Sequence, residues 1–132
     1  MIDYNKYVGL PWAEKGVSWN GVNCWGLIRL FYEYELKIIL PDYHNEYEKA
    51  VSKNTCKILR READKNFIKV SRAQPHDVIL FREGLLPQHV ALVINNSRML
   101  NINKDQTSTI ERYTDSEWKN NLVSFYRFKN LA

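Results

Sequence analysis

The sequence predicts an α+β domain in which N-terminal helices pack against an antiparallel sheet of about five to six strands. Apolar residues recur at helical spacing in the first half of the chain, whereas short β-branched and aromatic runs separated by turn residues fill the second half. The chain has 132 residues, of which 45% are hydrophobic and 26% charged. This size and composition suit one globular unit, so we expect residues 1–132 to form a single domain.

Two helices are predicted in the first half. Residues 1–23 are punctuated by glycine and proline and are expected to be irregular. A helix is predicted over about 24–36, because Asn23 is a suitable N-cap and apolar residues follow on one face: Cys24, Leu27, Ile28 and Phe31. A second helix is predicted over about 45–62, after Pro41.

The second half contains the predicted strands. Residues 89–94 and 99–102 flank a turn-rich spacer and are typical of a β-hairpin. One capped helical turn is expected within 114–121. The remaining strands are predicted at 77–82, 107–113 and 122–128.

The two cysteines, Cys24 and Cys56, are too few for a disulfide scaffold, and no C-x-x-C pair indicates zinc. A single bridge between them stays an open alternative. The N-terminus lacks a basic start followed by an apolar run, and no apolar run is long enough to span a membrane. We therefore expect synthesis without a signal peptide in a cytoplasm that keeps thiols reduced, and no membrane partner.

The net charge of +4 raises the question of nucleic-acid binding. The 19 Lys and Arg residues are interspersed with 15 acidic ones, and no motif combines aromatic and basic residues as nucleic-acid modules do. A solvated surface explains the charge better, so no nucleic-acid partner is expected.

Cys24 is the first candidate for chemistry, since it opens the predicted first helix. A helix N-terminus favours a thiolate over a thiol, and its unpaired N–H groups can stabilise an oxyanion. A cysteine nucleophile also needs a base. His44 and His76 lie in polar loop and turn sequences, whereas His89 opens an apolar strand that can hold its ring, so His89 is the best candidate.

Asn101 lies twelve residues after His89, on the second strand of the predicted hairpin. A third polar group that orients the imidazole would complete the site. Because side chains alternate along strands, the two residues share a face only if the hairpin loop has an odd number of residues or a bulge. If Val93 pairs with Ser97, His89 lies directly opposite Asn101.

Each of these residues has an ordinary structural explanation when taken alone. An unpaired cysteine is usually a small apolar filler, and a strand histidine usually a satisfied core or edge residue. Cys56, beside apolar residues of the predicted second helix, is expected to have only a structural role. It is the joint arrangement of Cys24, His89 and Asn101 that favours catalysis.

Four segments of the chain resemble the NlpC-type cell-wall peptidases, small papain-like cysteine enzymes. The Cys-Trp-Gly sequence and the "RLFY" after it are most similar to the branch encoded by tailed bacteriophages. "QPHDVILFR" (74–82) resembles the family's Pro-Gly-Asp motif, with His76 where glycine is usual. The other segments are "VGLPWAEKGVSWNGVNCWGLIRLFY" (8–32), "QHVALVINNSRMLN" (88–101) and "IERYTDSEWKNNLVSFYRF" (110–128).

The resemblance implies an NlpC-type fold and hydrolysis of an amide in the peptidoglycan stem peptide, typically between D-γ-glutamyl and the diamino acid. It implies that Cys24 attacks, His89 shuttles the proton and Asn101, where histidine is common, orients the ring. The Cys24 backbone N–H and Trp12, which replaces a frequent tyrosine, would hold the oxyanion. No metal or cofactor is implied. The expected partners are stem peptides and other phage tail proteins, and the expected location is a virion tail acting on the host wall.

Two further functions stay open at this point. One is a structural subunit of a tail tip that keeps the peptidase fold without its activity. The other is an amidase or acyltransferase with the same Cys-His chemistry, because a fold does not fix a substrate. Digestion of peptidoglycan separates the first from a hydrolase, and the masses of the products separate the second.

Overall fold

A computed structural model of the protein describes residues 1–41, 66–84 and 86–131, without the side chains of 86–88. The predicted second helix, together with His44 and Cys56, lies outside the described residues. A 3₁₀ turn at Tyr4–Tyr7 precedes a short ribbon of β1 (Val17–Ser18) and β2 (Gly21–Val22). Helix α1 (Cys24–Phe31) follows and continues into a π-helical turn, Tyr32–Leu36.

The remaining described elements are one antiparallel sheet, a single helical turn and a closing 3₁₀ turn, Lys129–Leu131. The sheet has six strands in the order β3-β8-β4-β5-β6-β7, and the helical turn, α2, precedes the last strand. The strands are β3 (Phe67–Val70), β4 (Val78–Glu83), β5 (Leu86–Val93), β6 (Arg98–Asn101), β7 (Thr109–Arg112) and β8 (Leu122–Phe128), with α2 at Ser116–Lys119. The predicted fold class, helices against an antiparallel sheet, is confirmed.

Three boundaries differ from those predicted. The expected irregular segment 1–23 contains the first 3₁₀ turn and the ribbon, which are too short for a periodic signal. The first helix keeps α-helical geometry only to Phe31. Strand β5 begins at Leu86. His89 therefore lies inside the strand, whereas the sequence had placed it at the first position. The pairing of β4 with β5 shifts register between Phe81 and Arg82, where β5 contains one extra residue, Gln88.

Apolar side chains cover both faces of the sheet. One face packs against α1 and includes Val90 and Leu92 of β5, whereas Ala91 and Val93 belong to a second cluster on the opposite face. The sheet is therefore buried on both sides near β5, and this strand is held firmly from each side. None of the helices in the described part of the chain is long and apolar enough to cross a bilayer.

Helix α1 begins at Cys24 because Asn23 caps it, as predicted. The Asn23 side-chain oxygen accepts a hydrogen bond from the Gly26 N–H at 2.7 Å, and its amide donates to the Glu14 carbonyl at 2.8 Å. The same helix packs against β5. Cap and packing together fix where the first turn of α1 lies relative to the strand.

Gly26 allows α1 to approach the loop before it closely. A Cβ atom at this position would lie 1.8 Å from the Gly16 carbonyl oxygen, a backbone atom that cannot move aside cheaply. Helix propensity alone predicts that Gly26→Ala stabilises the protein by about 1 kcal/mol. We expect the overlap to dominate, so that the variant loses roughly 1–3 kcal/mol in free energy of unfolding. Urea denaturation measures this, and an unchanged or higher stability would contradict it.

His76 shows why glycine is usual at this position of the motif before β4. Its φ is +77°, in the left-handed region that favours glycine. Its ring nitrogen Nε2 lies 2.9 Å from the Tyr4 hydroxyl, and its carbonyl accepts a hydrogen bond from the Tyr32 hydroxyl at 2.6 Å. These contacts offset the backbone strain and occupy His76 in a structural role.

Candidate active site

Cys24 occupies the first position of α1 and is partly exposed. Its backbone N–H is one of the first four of the helix, which have no partner within the helix. The backbone N–H of Val90, on β5, donates a hydrogen bond to its sulfur. The nucleophile candidate is therefore accessible, lies at the positive end of a helix dipole and receives a backbone hydrogen bond.

His89 lies next to Cys24 on β5 and is only 5% exposed. It pairs with Phe81 across the sheet. The indole of Trp118, in α2, stacks on the imidazole with ring centroids 5.7 Å apart and planes 24° apart. These neighbours hold the ring in one orientation.

Asn101 is fully buried and faces His89, as the sequence predicted. Its Oδ1 lies 2.6 Å from Nε2 of His89. Leu92 pairs with Leu100 and Val93 with Met99, so five residues, 94–98, separate the last paired positions of the hairpin. This odd number confirms the predicted parity. The register is shifted by two residues from direct opposition, so that His89 and Asn101 meet diagonally across the strands.

The hydrogen bond to Asn101 assigns the two nitrogens of His89. An amide oxygen only accepts, so Nε2 must carry a proton and donate it to Asn101. That leaves Nδ1 for the hydrogen bond between His89 and Cys24. Nδ1 also lies 3.5 Å from a carboxylate oxygen of Glu83, at the exposed end of β4. The imidazole is therefore oriented from behind, with its reactive nitrogen directed to the sulfur.

Cys24 and His89 favour a thiolate–imidazolium pair. Burial raises the pKa of the Cys24 thiol, but the hydrogen bond and charge of His89 and the Val90 N–H together lower it below its ordinary value. Burial lowers the pKa of His89, but the hydrogen bond and charge of Cys24, the Asn101 bond and the charge of Glu83 raise it overall. Each group thus stabilises the charged form of the other.

Glu83 tunes this pair without being part of it. Its negative charge raises the pKa of both Cys24 and His89, so Glu83→Gln should lower both. We expect the pH at which Cys24 reacts half-maximally with iodoacetamide to move down, and the effect to shrink with added salt because Glu83 is exposed. Alkylation of Cys24, resolved by mass spectrometry of its peptide, measures the shift. Glu33→Gln removes an exposed charge elsewhere and serves as the control; equal profiles for all three proteins would contradict the role.

Trp12 lies on the loop before α1, where it forms a β-bridge with Val22 and packs against the core. Val22 is two residues before Cys24, so the bridge ties Trp12 to the segment that leads into the nucleophile candidate. Its predicted contribution to an oxyanion site, beside the Cys24 N–H, stays a prediction. Among the described residues, no group of three His, Cys, Asp or Glu side chains is arranged to hold a metal ion.

Three residues near the site were not found from the sequence: Glu83, Glu111 and Trp118. Glu111 lies two residues after Thr109, which pairs with Asn101 across β6 and β7. Alternation along β7 would have placed Glu111 on the face of Asn101, but only once that register was known. Trp118 lay within the predicted helical turn, whose orientation the sequence did not reveal.

Solved structures with this fold include the following three. An NLP/P60-family protein of Staphylococcus aureus, described as similar to lipoprotein, has a TM-score of 0.64 at 22% identity, over 93% of this chain and 38% of that chain. An NlpC/P60-family protein of Bacillus cereus has a TM-score of 0.67 at 19% identity, over 92% and 36%. The NlpC/p60 domain of the peptidoglycan hydrolase SagA has a TM-score of 0.64 at 16% identity, over 94% and 92%.

The chain thus spans less than two fifths of the Staphylococcus aureus and Bacillus cereus proteins. No curated protein matches it in sequence. The sequence profile of the NlpC/P60 family matches residues 9–127, a range that contains Cys24, His89 and Asn101. The chain therefore belongs to the NlpC/P60 family.

Proposed function

We propose that this chain is a cysteine peptidase that hydrolyses an amide in the peptidoglycan stem peptide, between D-γ-glutamyl and the diamino acid. The observation that carries the proposal is a partly exposed thiol at a helix N-terminus in contact with a buried His89–Asn101 pair. Peptidoglycan as the polymer is supported by family membership and by the fold shared with a peptidoglycan hydrolase.

The reaction follows from the two hydrogen-bonded groups. The Cys24 thiolate attacks the amide carbon, and its electron pair forms a carbon–sulfur bond while the carbonyl oxygen becomes an oxyanion. The Cys24 N–H, with Trp12 as a second donor, would stabilise that oxygen. Nδ1 of His89 gives its proton to the leaving nitrogen, the carbon–nitrogen bond breaks and an amine departs.

Water completes the cycle. Nδ1 of His89, now neutral, takes a proton from a water molecule, whose oxygen attacks the thioester carbon. The carbon–sulfur bond then breaks, a carboxylic acid leaves, and the thiolate–imidazolium pair is restored. Neither step needs a metal or an organic cofactor, since the helix N-terminus and the imidazolium supply the charge stabilisation.

Digestion of purified peptidoglycan tests the proposal. We expect the protein to release fragments in which the diamino acid carries a new free amine, identified by mass spectrometry, and Cys24→Ala to release none. Cleavage at a different amide would retain the chemistry and change the assigned bond. Products that carry a transferred acyl group would indicate an acyltransferase, and unchanged peptidoglycan would favour the structural tail-tip role.

We also propose that the protein acts from a phage tail on the host wall. The support is the resemblance of Cys24-Trp25-Gly26 and the "RLFY" after it to the phage-encoded branch. Mass spectrometry of purified tails from phage whose genome encodes the chain should detect its peptides. Peptides found in the lysate but absent from the purified tails would contradict this location.

A further inference from the structure

We infer that Glu111 is a positioning residue of the Cys24–His89–Asn101 site, and that it acts by fixing which end of the Asn101 amide faces the imidazole. Oε2 of Glu111 accepts a hydrogen bond from Nδ2 of Asn101 at 2.8 Å. A carboxylate offers only acceptors, so it selects the amide nitrogen of Asn101 and leaves the oxygen to face His89. The role rests on the function proposed above.

The same carboxylate is itself held by two other donors. The Thr109 hydroxyl donates to Oε2 at 2.9 Å, and the Trp118 indole N–H donates to Oε1 at 3.3 Å. Trp118 also stacks on the imidazole of His89. Glu111 therefore connects Asn101, which lies behind the imidazole, to Trp118, which covers it. Displacement of this carboxylate would loosen the positions of both residues.

Asn101 needs such a neighbour because its side chain has two ends of similar shape and opposite polarity. With the amide reversed, Nδ2 of Asn101 would meet the protonated Nε2 of His89, donor against donor. The reversed state would remove the hydrogen bond that stabilises the imidazolium and hence weaken its support for the thiolate. Glu111 makes the reversed state costly, since it would then face the amide oxygen.

Substitution Glu111→Gln separates this role from a simple charge effect. Loss of a negative charge alone moves the pH of half-maximal Cys24 alkylation down, whereas loss of amide orientation moves it up because the imidazolium is less stable. The charged or titratable groups that face His89 are Cys24 on α1 and Glu83 on β4, and neither is altered. We expect an upward shift for Glu111→Gln and none for Glu117→Gln, an exposed charge in the neighbouring helical turn.

Exchanging the amide at position 101 with the carboxylate at position 111 gives a second readout, the rate of peptidoglycan hydrolysis. Asn101→Asp sets two carboxyl groups in contact, which must share a proton, so its activity should fall as the pH rises. Adding Glu111→Gln lets the glutamine amide donate to the new carboxylate at position 101, whose other oxygen accepts from His89. We expect the double variant to be about tenfold more active than Asn101→Asp at pH 8, with the difference in kcat.

Several outcomes would overturn the role. One is a pH of half-maximal Cys24 alkylation that is unchanged or lower in Glu111→Gln. Another is a double variant whose loss of hydrolytic activity is the sum of the losses of the two single variants. If Glu111→Gln does not fold, Trp118→Phe replaces it as the test. This variant keeps an aromatic ring against His89 but removes the indole N–H that binds Glu111, so we expect a smaller upward shift in the pH of half-maximal Cys24 alkylation. Alkylation needs no substrate, so an upward shift in a protein that leaves peptidoglycan intact would reject the proposed hydrolysis and retain the positioning role.

Discussion

Replacing Cys24 by alanine is expected to abolish peptidoglycan hydrolysis while the protein stays folded. The methyl group of alanine fits the first turn of α1, where Asn23 continues to cap the helix. Within the described part of the chain no other side chain carries a thiol that could form the carbon–sulfur bond, so we expect a loss of at least about ten-thousandfold in rate. Release of fragments from purified peptidoglycan measures the activity, and thermal unfolding measures the fold.

Cys24→Ser is the matched control for shape. Its hydroxyl occupies nearly the same volume but has a far higher pKa than a thiol, so His89 cannot hold it in the ionised form. We expect this variant to be inactive as well. If either variant hydrolysed peptidoglycan at close to the normal rate, the nucleophile would have to be a different residue.

The second large effect is expected from His89, with a graded loss at Asn101. His89→Ala removes the proton donor for the leaving amine and the charge that stabilises the thiolate, so a loss of about a thousandfold or more is expected. Asn101→Ala removes one buried hydrogen bond to an imidazolium, worth about 1.5–3 kcal/mol, or roughly 10- to 150-fold in rate. Asn101→His should retain more activity, since an imidazole can accept from His89.

The pH dependence of Asn101→Ala gives an independent check. The hydrogen bond that His89 donates to Asn101 helps to raise the pKa of His89, because it favours the protonated ring. Without it, the imidazolium loses its proton at a lower pH, so the alkaline limb of the kcat/KM profile should move down. An Asn101→Ala variant with the rate and profile of the unmodified protein would leave a Cys24–His89 dyad and assign the third role to another residue.

The sequence was sufficient for the parts of the site that depend on local rules. Asn23 predicted the start of α1, and therefore the position of Cys24, because an N-cap is determined by its own side chain and the next three residues. The parity of the hairpin followed from alternation along strands. The register of the hairpin could not be predicted in the same way, because Val93 pairs with Met99 through a loop whose length depends on turn contacts.

The residues that the sequence did not reveal act through contacts between distant segments. Glu111 meets Asn101 across two strands, and Trp118 reaches His89 from a helical turn that follows β7. Glu83 lies near His89 because β4 and β5 are neighbours whose register shifts just after Phe81. Each contact requires the register of a strand pair, which composition and periodicity leave undetermined.

The five residues between the paired Val93 and Met99 determine how this hairpin tolerates insertions and deletions. Surface loops usually accept changes in length at little cost. Here, gain or loss of a single residue within 94–98, without a bulge that compensates for it, would turn every side chain of β6 to the opposite face, so that Asn101 would face away from His89. A change of two residues would restore the face. Sequences that diverge from this one while keeping the site should therefore differ in this segment by even numbers of residues or carry a compensating bulge.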